Sequence, residues 1–158
     1  MTQPSHIPPG YHSISPVISV RDAEKAIEFY KQAFGAEEIM RFTGPDGKIG
    51  HAELHIGDSS FSLADENPEW GNLSPQTISG TPVRISLYVE DADATFKKAL
   101  DAGGKELIPL SDQFYGERSG RIEDPFGHYW IISTMKFTMP VEEMQRIWDE
   151  MSKQGAGD

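Results

Sequence analysis

His51, Glu53 and His55 alternate with Ala52, Leu54 and Ile56, so in an extended strand the three polar side chains share one face. A carboxylate beside an imidazole has the composition of a general acid/base pair, which makes Glu53 and His51 the candidate catalytic residues. As a metal site the cluster is stretched. At about 3.3 Å per residue the two histidine backbones stand about 13 Å apart, so at most Glu53 and one histidine reach a common ion.

A second set is chosen by alternation. Val83, Ile85, Leu87 and Val89 are apolar and suit the underside of a helix, which turns Arg84, Ser86 and Tyr88 toward a cavity or solvent. The same rule turns Trp130, Ile132 and Thr134 inward in a later strand. Trp130 there is either a stacking wall for a flat ligand or a large residue filling the core. A guanidinium at Arg84 calls for an acidic ligand or an internal carboxylate such as Glu53, unless it makes only an open-face salt bridge. Phe114, Tyr115 and Arg118 flank Gly116 and read as a ligand rim or a dimer contact. Asp65, Glu66 and Trp70 are similarly placed.

The elements that must hold these residues come from a repeat. Ile18 to Ile39 matches Leu87 to Ile108 without a gap, pairing Asp22 with Asp91 and Gly35 with Gly104. Each copy reads as a short strand, an Asp N-cap, a helix and a glycine stop. Ala23, Ala26, Ile27, Tyr30 and Phe34 share one face of the first helix, and Ala92, Phe96 and Ala99 one face of the second. Three extended runs follow each helix, roughly Glu37–Phe42, Gly50–Ile56 and Ser59–Ala64 in the first copy, so the unit is βαβββ. The fold class is α+β. Residues 11–65 form module one and 83–137 module two, joined by a polar linker at 66–82. A flexible segment is expected at 1–10 and a helical tail at 138–158, where Val141, Met144, Ile147, Trp148 and Met151 make an apolar stripe that must cover something.

Composition bounds the partners. A net charge of -11 from 25 acidic and 14 basic residues argues against nucleic acid and anionic membranes, which demand clustered cations. The chain has no cysteine, which excludes disulfides and thiolate chemistry and fits the cytoplasm. Neither a secretory leader nor a membrane-spanning apolar run is expected.

The doubled βαβββ pattern, with V-x-D before each helix and Asp124-Pro125-Phe126-Gly127-His128 before the final strand, resembles the vicinal oxygen chelate group, the glyoxalase/bleomycin-resistance/dioxygenase superfamily. Gly44-Pro45-Asp46-Gly47, His51-Ala52-Glu53-Leu54, Ala64-Asp65-Glu66, Tyr88-Val89-Glu90-Asp91 and Phe114-Tyr115-Gly116 are similar to its PhnB-like branch. The resemblance implies curved mixed sheets around a cavity, helices outside, and a homodimer. It also implies a divalent metal held from the first and last strands of each module. Those positions fall on Ser15, Ser62, Arg84 and Ile132, none of them a ligand of the expected kind, so neither metal nor other cofactor is expected. The function expected is binding of a small molecule, anionic or aromatic, at Arg84, Ser86, Tyr88, Trp130, Ile132, Ser15, Ser62, Phe114 and Tyr115. The alternative is an enzyme of the same fold, a lyase, isomerase or dioxygenase, using a displaced metal or metal-free acid/base chemistry at Glu53 and His51. A third reading is an interaction protein working through its acidic surface and tail.

Overall fold

The computed structural model describes residue 3 and residues 5–155. In chain order its elements are β1 (Val17–Val20), α1 (Ala23–Phe34), β2 (Glu37–Thr43), β3 (Ile49–Ile56), β4 (Ser59–Asp65), α2 (Pro75–Ile78), β5 (Arg84–Tyr88), α3 (Ala92–Asp101), β6 (Lys105–Asp112), β7 (Glu117–Glu123), β8 (Tyr129–Met135) and α4 (Val141–Gly155), with a 3-10 turn at Pro68–Trp70. Asp22 accepts a hydrogen bond from the Lys25 N–H and Asp91 from the Ala94 N–H, each satisfying a donor that the first helical turn leaves unpaired. Gly35 ends α1 in the left-handed conformation at φ 68°, which a side chain would disfavour. Gly104 is glycine for a different reason: a Cβ there would stand 2.8 Å from the Ala99 carbonyl oxygen.

The two modules form two four-stranded mixed sheets with the same order, β1-β4-β3-β2 and β5-β8-β7-β6. In each, the first strand runs parallel to the last and the other pairs are antiparallel. Neither sheet closes into a barrel, and β1 and β5 are both edges. Helices α1 and α3 lie side by side over one face of the sheets. Every residue expected on the inner face of α1 is buried, and so are Ala92, Phe96 and Ala99 of α3. One core runs through both modules, because Trp130 of β8 packs against Tyr30 and Phe34 of α1 and Phe61 of β4, with ring centroids 5.4, 4.7 and 5.9 Å apart.

Asp124, in the turn before β8, joins the modules. It is buried and accepts from the Tyr30 hydroxyl at 2.6 Å and the Trp130 indole N–H at 2.9 Å. Its other oxygen takes the backbone N–H groups of Phe126 and His128. Burial, and then the Asp124 charge, raise the Tyr30 pKa well above the ordinary phenol value, so the phenol keeps the proton that it donates in this bond.

The linker carries bonds of its own, and one expectation for the tail changes. The linker is ordered: Glu66 accepts from the Ser74 N–H and the Thr77 hydroxyl and pairs with Arg21. The tail helix forms, yet no residue of α4 is buried. Of its apolar stripe only Trp148 meets a ring, Phe114, at 6.4 Å between centroids. Within the described residues of one chain Met144 and Ile147 are half-buried, while Val141, Trp148 and Met151 stay exposed, so the cover expected of this stripe is supplied only in part. Residues 1, 2 and 4 of the expected N-terminal segment lie outside the described residues; Gly10, at its end, accepts from the Ser60 hydroxyl through its carbonyl oxygen.

Candidate ligand site

Cross-strand register assigns every strand residue of module two to a face, because side chains directly opposite each other point the same way. Ile85 pairs with Trp130 and Leu87 with Ile132 on the helix-covered face. The opposite, open face carries three rows across β5, β8, β7 and β6: Arg84, Tyr129, Glu123, Lys105; then Ser86, Ile131, Arg121, Ile108; then Tyr88, Ser133, Ser119, Ser111. The Ser133 hydroxyl donates to that of Ser119 at 2.9 Å, both residues buried. Tyr88 donates to Glu117 at 2.8 Å. That bond, and secondarily burial, raise the Tyr88 pKa; burial and the Glu117 charge raise that of Tyr115. Tyr88, Tyr115 and Glu117 therefore form one corner of the open face.

Module one shows its own open face. Met40, Glu53, Ser62 and Val17 form one row and Glu37, His55 and Ser60 the next. Glu53 Oε1 lies 3.2 Å from His51 Nε2. The Tyr11 ring crosses this face edge-on to His55. Its hydroxyl stands beside Glu53 and Ser62, near enough to lower the Glu53 pKa, with His51 lowering it further. The phenol's own pKa is raised by burial and by Glu53. The hydroxyl is nevertheless one of two buried side-chain polar atoms without a hydrogen-bond partner among the described residues. The other is Arg121 Nε, on the open face of module two.

Between the modules, where the segment before β1 and the β3–β4 turn meet β5, lies a hollow of about 310 Å³. Its walls include Ile14, Pro16, Ile56, Phe61, Ile85 and Leu87, with His12, Asp58, Ser59 and Ser60 on the module-one side and Ser86 and Tyr88 on β5 as polar margins. Small-molecule sites begin at about this size, mostly apolar with a few polar groups.

The expected residues divide accordingly. Arg84, Ser86 and Tyr88 share the open face and Tyr115 adjoins them through Glu117, while Phe114 stacks edge-on to Tyr115 and leans on Trp148. Trp130 and Ile132 do not face inward with Arg84; they lie in the core, 2% and 0% exposed. The parallel register of β5 with β8 makes the two inward assignments incompatible, and Trp130 meets the hollow only as its floor. Thr134 likewise turns to the covered side, where it accepts from the Ala92 N–H. Ser15 precedes β1 and donates to the Ser60 carbonyl; Ser62 lies under Tyr11. Arg84 has no bond to Glu53, whose partner is His51. Asp65 and Glu66 serve the fold, Asp65 by accepting from the N–H groups of Ala23 and Ile49. Trp70 is 79% exposed. Arg118 is held by Asp93 and Asp112.

The donor set does not fit the metal implied by the fold. On the open face the first and last strands offer Val17, Ser19, Ser60, Ser62, Ala64, Arg84, Ser86, Tyr88, Tyr129, Ile131 and Ser133. These are neutral hydroxyls, alkyl groups and a fixed cation, which do not make a site for a divalent ion. Among the described residues no group of three or more His, Cys, Asp or Glu is arranged around a common point.

Sequence reasoning missed Arg121 and Tyr11. Alternation against the buried Ile122 carried the signal for Arg121. Tyr11 precedes the first strand, and nothing local places it.

The sequence profile of the Glyoxalase/Bleomycin resistance protein/Dioxygenase superfamily matches residues 11–132. The uncharacterized protein Mb0911c of Mycobacterium bovis is 43% identical over 150 residues, covering 92% of this chain and 95% of its own. The crystal structure of the At5g48480 product of Arabidopsis thaliana superposes with a TM-score of 0.63 at 28% identity, covering 78% of this chain and 98% of that one. A PhnB protein of Bacillus cereus shares the fold, with a TM-score of 0.60 at 17% identity over 78% of this chain and 99% of that one. With its doubled module, its sheet order and this match over most of its length, the chain belongs to the Glyoxalase/Bleomycin resistance protein/Dioxygenase superfamily.

Proposed function

We propose that the protein binds a small organic molecule, without metal, in the hollow between the β3–β4 turn and β5 and on the open face beside it. The observation that carries this reading is the continuity of a hollow with an apolar wall, Ile85 and Leu87, and a polar margin, Ser86 and Tyr88, on one edge strand whose two faces both border it. Apolar walls supply affinity through buried area, and the few polar groups fix orientation. The acid/base alternative is weaker because the Glu53 carboxyl is held below its ordinary range by Tyr11 and His51, and a weaker base accepts a proton less readily.

We place the protein in the cytoplasm as a homodimer, on its lack of cysteine and the partly uncovered stripe of α4, where Trp148 is 58% exposed. No helix among the described residues is long and apolar enough to cross a membrane. The net charge of -11 disfavours nucleic acid as a partner.

The test is titration with Nile red, a neutral apolar dye that brightens on leaving water. The wild-type protein should bind it, and Ile14→Asp, which puts a charge in the wall, should weaken binding about tenfold, roughly the 1.4 kcal/mol that a lost apolar contact costs. Equal binding by the variant would refute the site. For the dimer, sedimentation of the full chain as a monomer at working concentration would remove that part of the proposal.

A further inference from the structure

The chain has six arginines. Four are ion-paired: Arg21 with Glu66, Arg41 with Glu38, Arg118 with Asp93 and Arg146 with Glu143. The other two, Arg84 and Arg121, have no ion pair among the described residues, and both lie on the open face of module two. In a protein with 25 carboxylates, carboxylate partners are abundant, so leaving these two guanidinium groups unpaired marks this face out. Arg121 sits centrally, between Ile131 and Ile108 across the strands and next to the row of Tyr88, Ser133, Ser119 and Ser111. Its Nε is shut off from water and has no hydrogen-bond partner among the described residues, and a buried donor without a partner is costly enough that folded proteins rarely retain one without a use.

We infer that Arg121 is the anchor for an oxyanion, the carboxylate or phosphate of a small organic acid whose body lies over Ile131 toward Ser86 and the hollow. This rests on the open face being the ligand-binding face, as proposed above. A guanidinium offers a planar fork that matches either anion. The carboxylates on the same face leave it free: Glu117 is taken by Tyr88, and Glu123 makes no ion pair with Arg121 among the described residues. Arg84 stands two strands away, about 12 Å between backbones by strand geometry, so both side chains can reach one ligand from opposite sides.

The experiment titrates the full-length protein by calorimetry with benzoate, phenyl phosphate and benzyl alcohol, three probes that share a ring and differ in the polar group. Expected is binding of at least one anion about tenfold tighter than the alcohol, the scale of a charge-assisted hydrogen bond. The tighter of benzoate and phenyl phosphate identifies the source of the oxyanion. Arg121→Gln should erase the preference while leaving the alcohol's affinity and the thermal midpoint in place, and Arg121→Lys should keep part of it. The inference is overturned, with the ligand-binding reading intact, if the alcohol binds as well as both anions or if Arg121→Gln retains the preference. It is also overturned if Arg121→Gln instead splits a dimer, since a carboxylate of a second copy would then be the partner. Failure of all three probes together with Nile red would sink both.

Discussion

The two faces of the module two sheet treat their polar groups in opposite ways. On the covered face, buried Asp124 receives four donors, two from side chains and two from the backbone, and ties Tyr30 of module one to Trp130 of module two. Among the described residues, Arg121 Nε on the open face has no partner, and on the matching face of module one the Tyr11 hydroxyl has none either. The same repeat built both sheets, so the contrast does not come from the fold. It separates a side that is finished when the chain folds from a side that is finished by something else.

The largest effect expected from breaking this contrast is at its satisfied end. Asp124→Ala leaves the Tyr30 hydroxyl and the Trp130 indole N–H buried with no acceptor, at roughly 1–3 kcal/mol for each, and frees two turn N–H groups besides. The loss of several kcal/mol should appear as a large fall in the urea midpoint. Asp124→Asn, which keeps an acceptor oxygen, should recover part of it. If Asp124→Ala unfolds within 1 kcal/mol of wild type, roughly the error of ordinary surface changes, the covered face is not where the modules are joined.

How far each face was legible follows from the same division. Strand and helix positions were readable because Asp22, Asp91 and the turn glycines punctuate apolar runs of clear period. Facing was readable for β5, where apolar and polar residues alternate cleanly. It failed for β8, where Tyr129, Trp130, Ile131 and Ile132 offer apolar atoms to both sides and period alone cannot choose. The tie is broken by Ile85 opposite Trp130, a long-range pairing. The Asp124 hub was hidden for a similar reason, since its partner Tyr30 lies 94 residues away in the chain. Arg121 is a single charge in a charged segment, and only the absence of a partner in three dimensions distinguishes it.

A smaller effect is expected from acid. Glu38, beside Leu54 on the covered side of β2, meets Arg41 through two bonds of 2.6 and 2.8 Å. Those bonds, with Lys31, hold its pKa at about 2. A carboxyl whose folded pKa is depressed contributes stability above its ordinary value near 4.5 and loses it as pH falls through the folded value. Unfolding followed from pH 6 down to pH ~2 should therefore show a loss in that window that Glu38→Gln lacks, worth about 1 kcal/mol for a pair at a sheet edge. A Glu38→Gln protein with the same acid profile as wild type would mean that this bonded carboxylate contributes no more than an unpaired one.

The smallest effect is expected where the molecule is least satisfied. Tyr11→Phe removes a hydroxyl that has no aligned partner, so the usual penalty for deleting a buried hydrogen bond does not apply, and the stability change should stay within about 0.5 kcal/mol in either direction. Glu53 reports the same contact: the Tyr11 hydroxyl is the first cause of its lowered pKa, so without it the carboxyl should titrate only slightly higher, by no more than so small a stability change permits through linkage, followed by NMR at the Glu53 side chain. A loss of stability above about 1 kcal/mol would show the hydroxyl to be bonded in the free protein. The open face of module one would then be as complete as the covered one, and the contrast between the faces would survive only around Arg121.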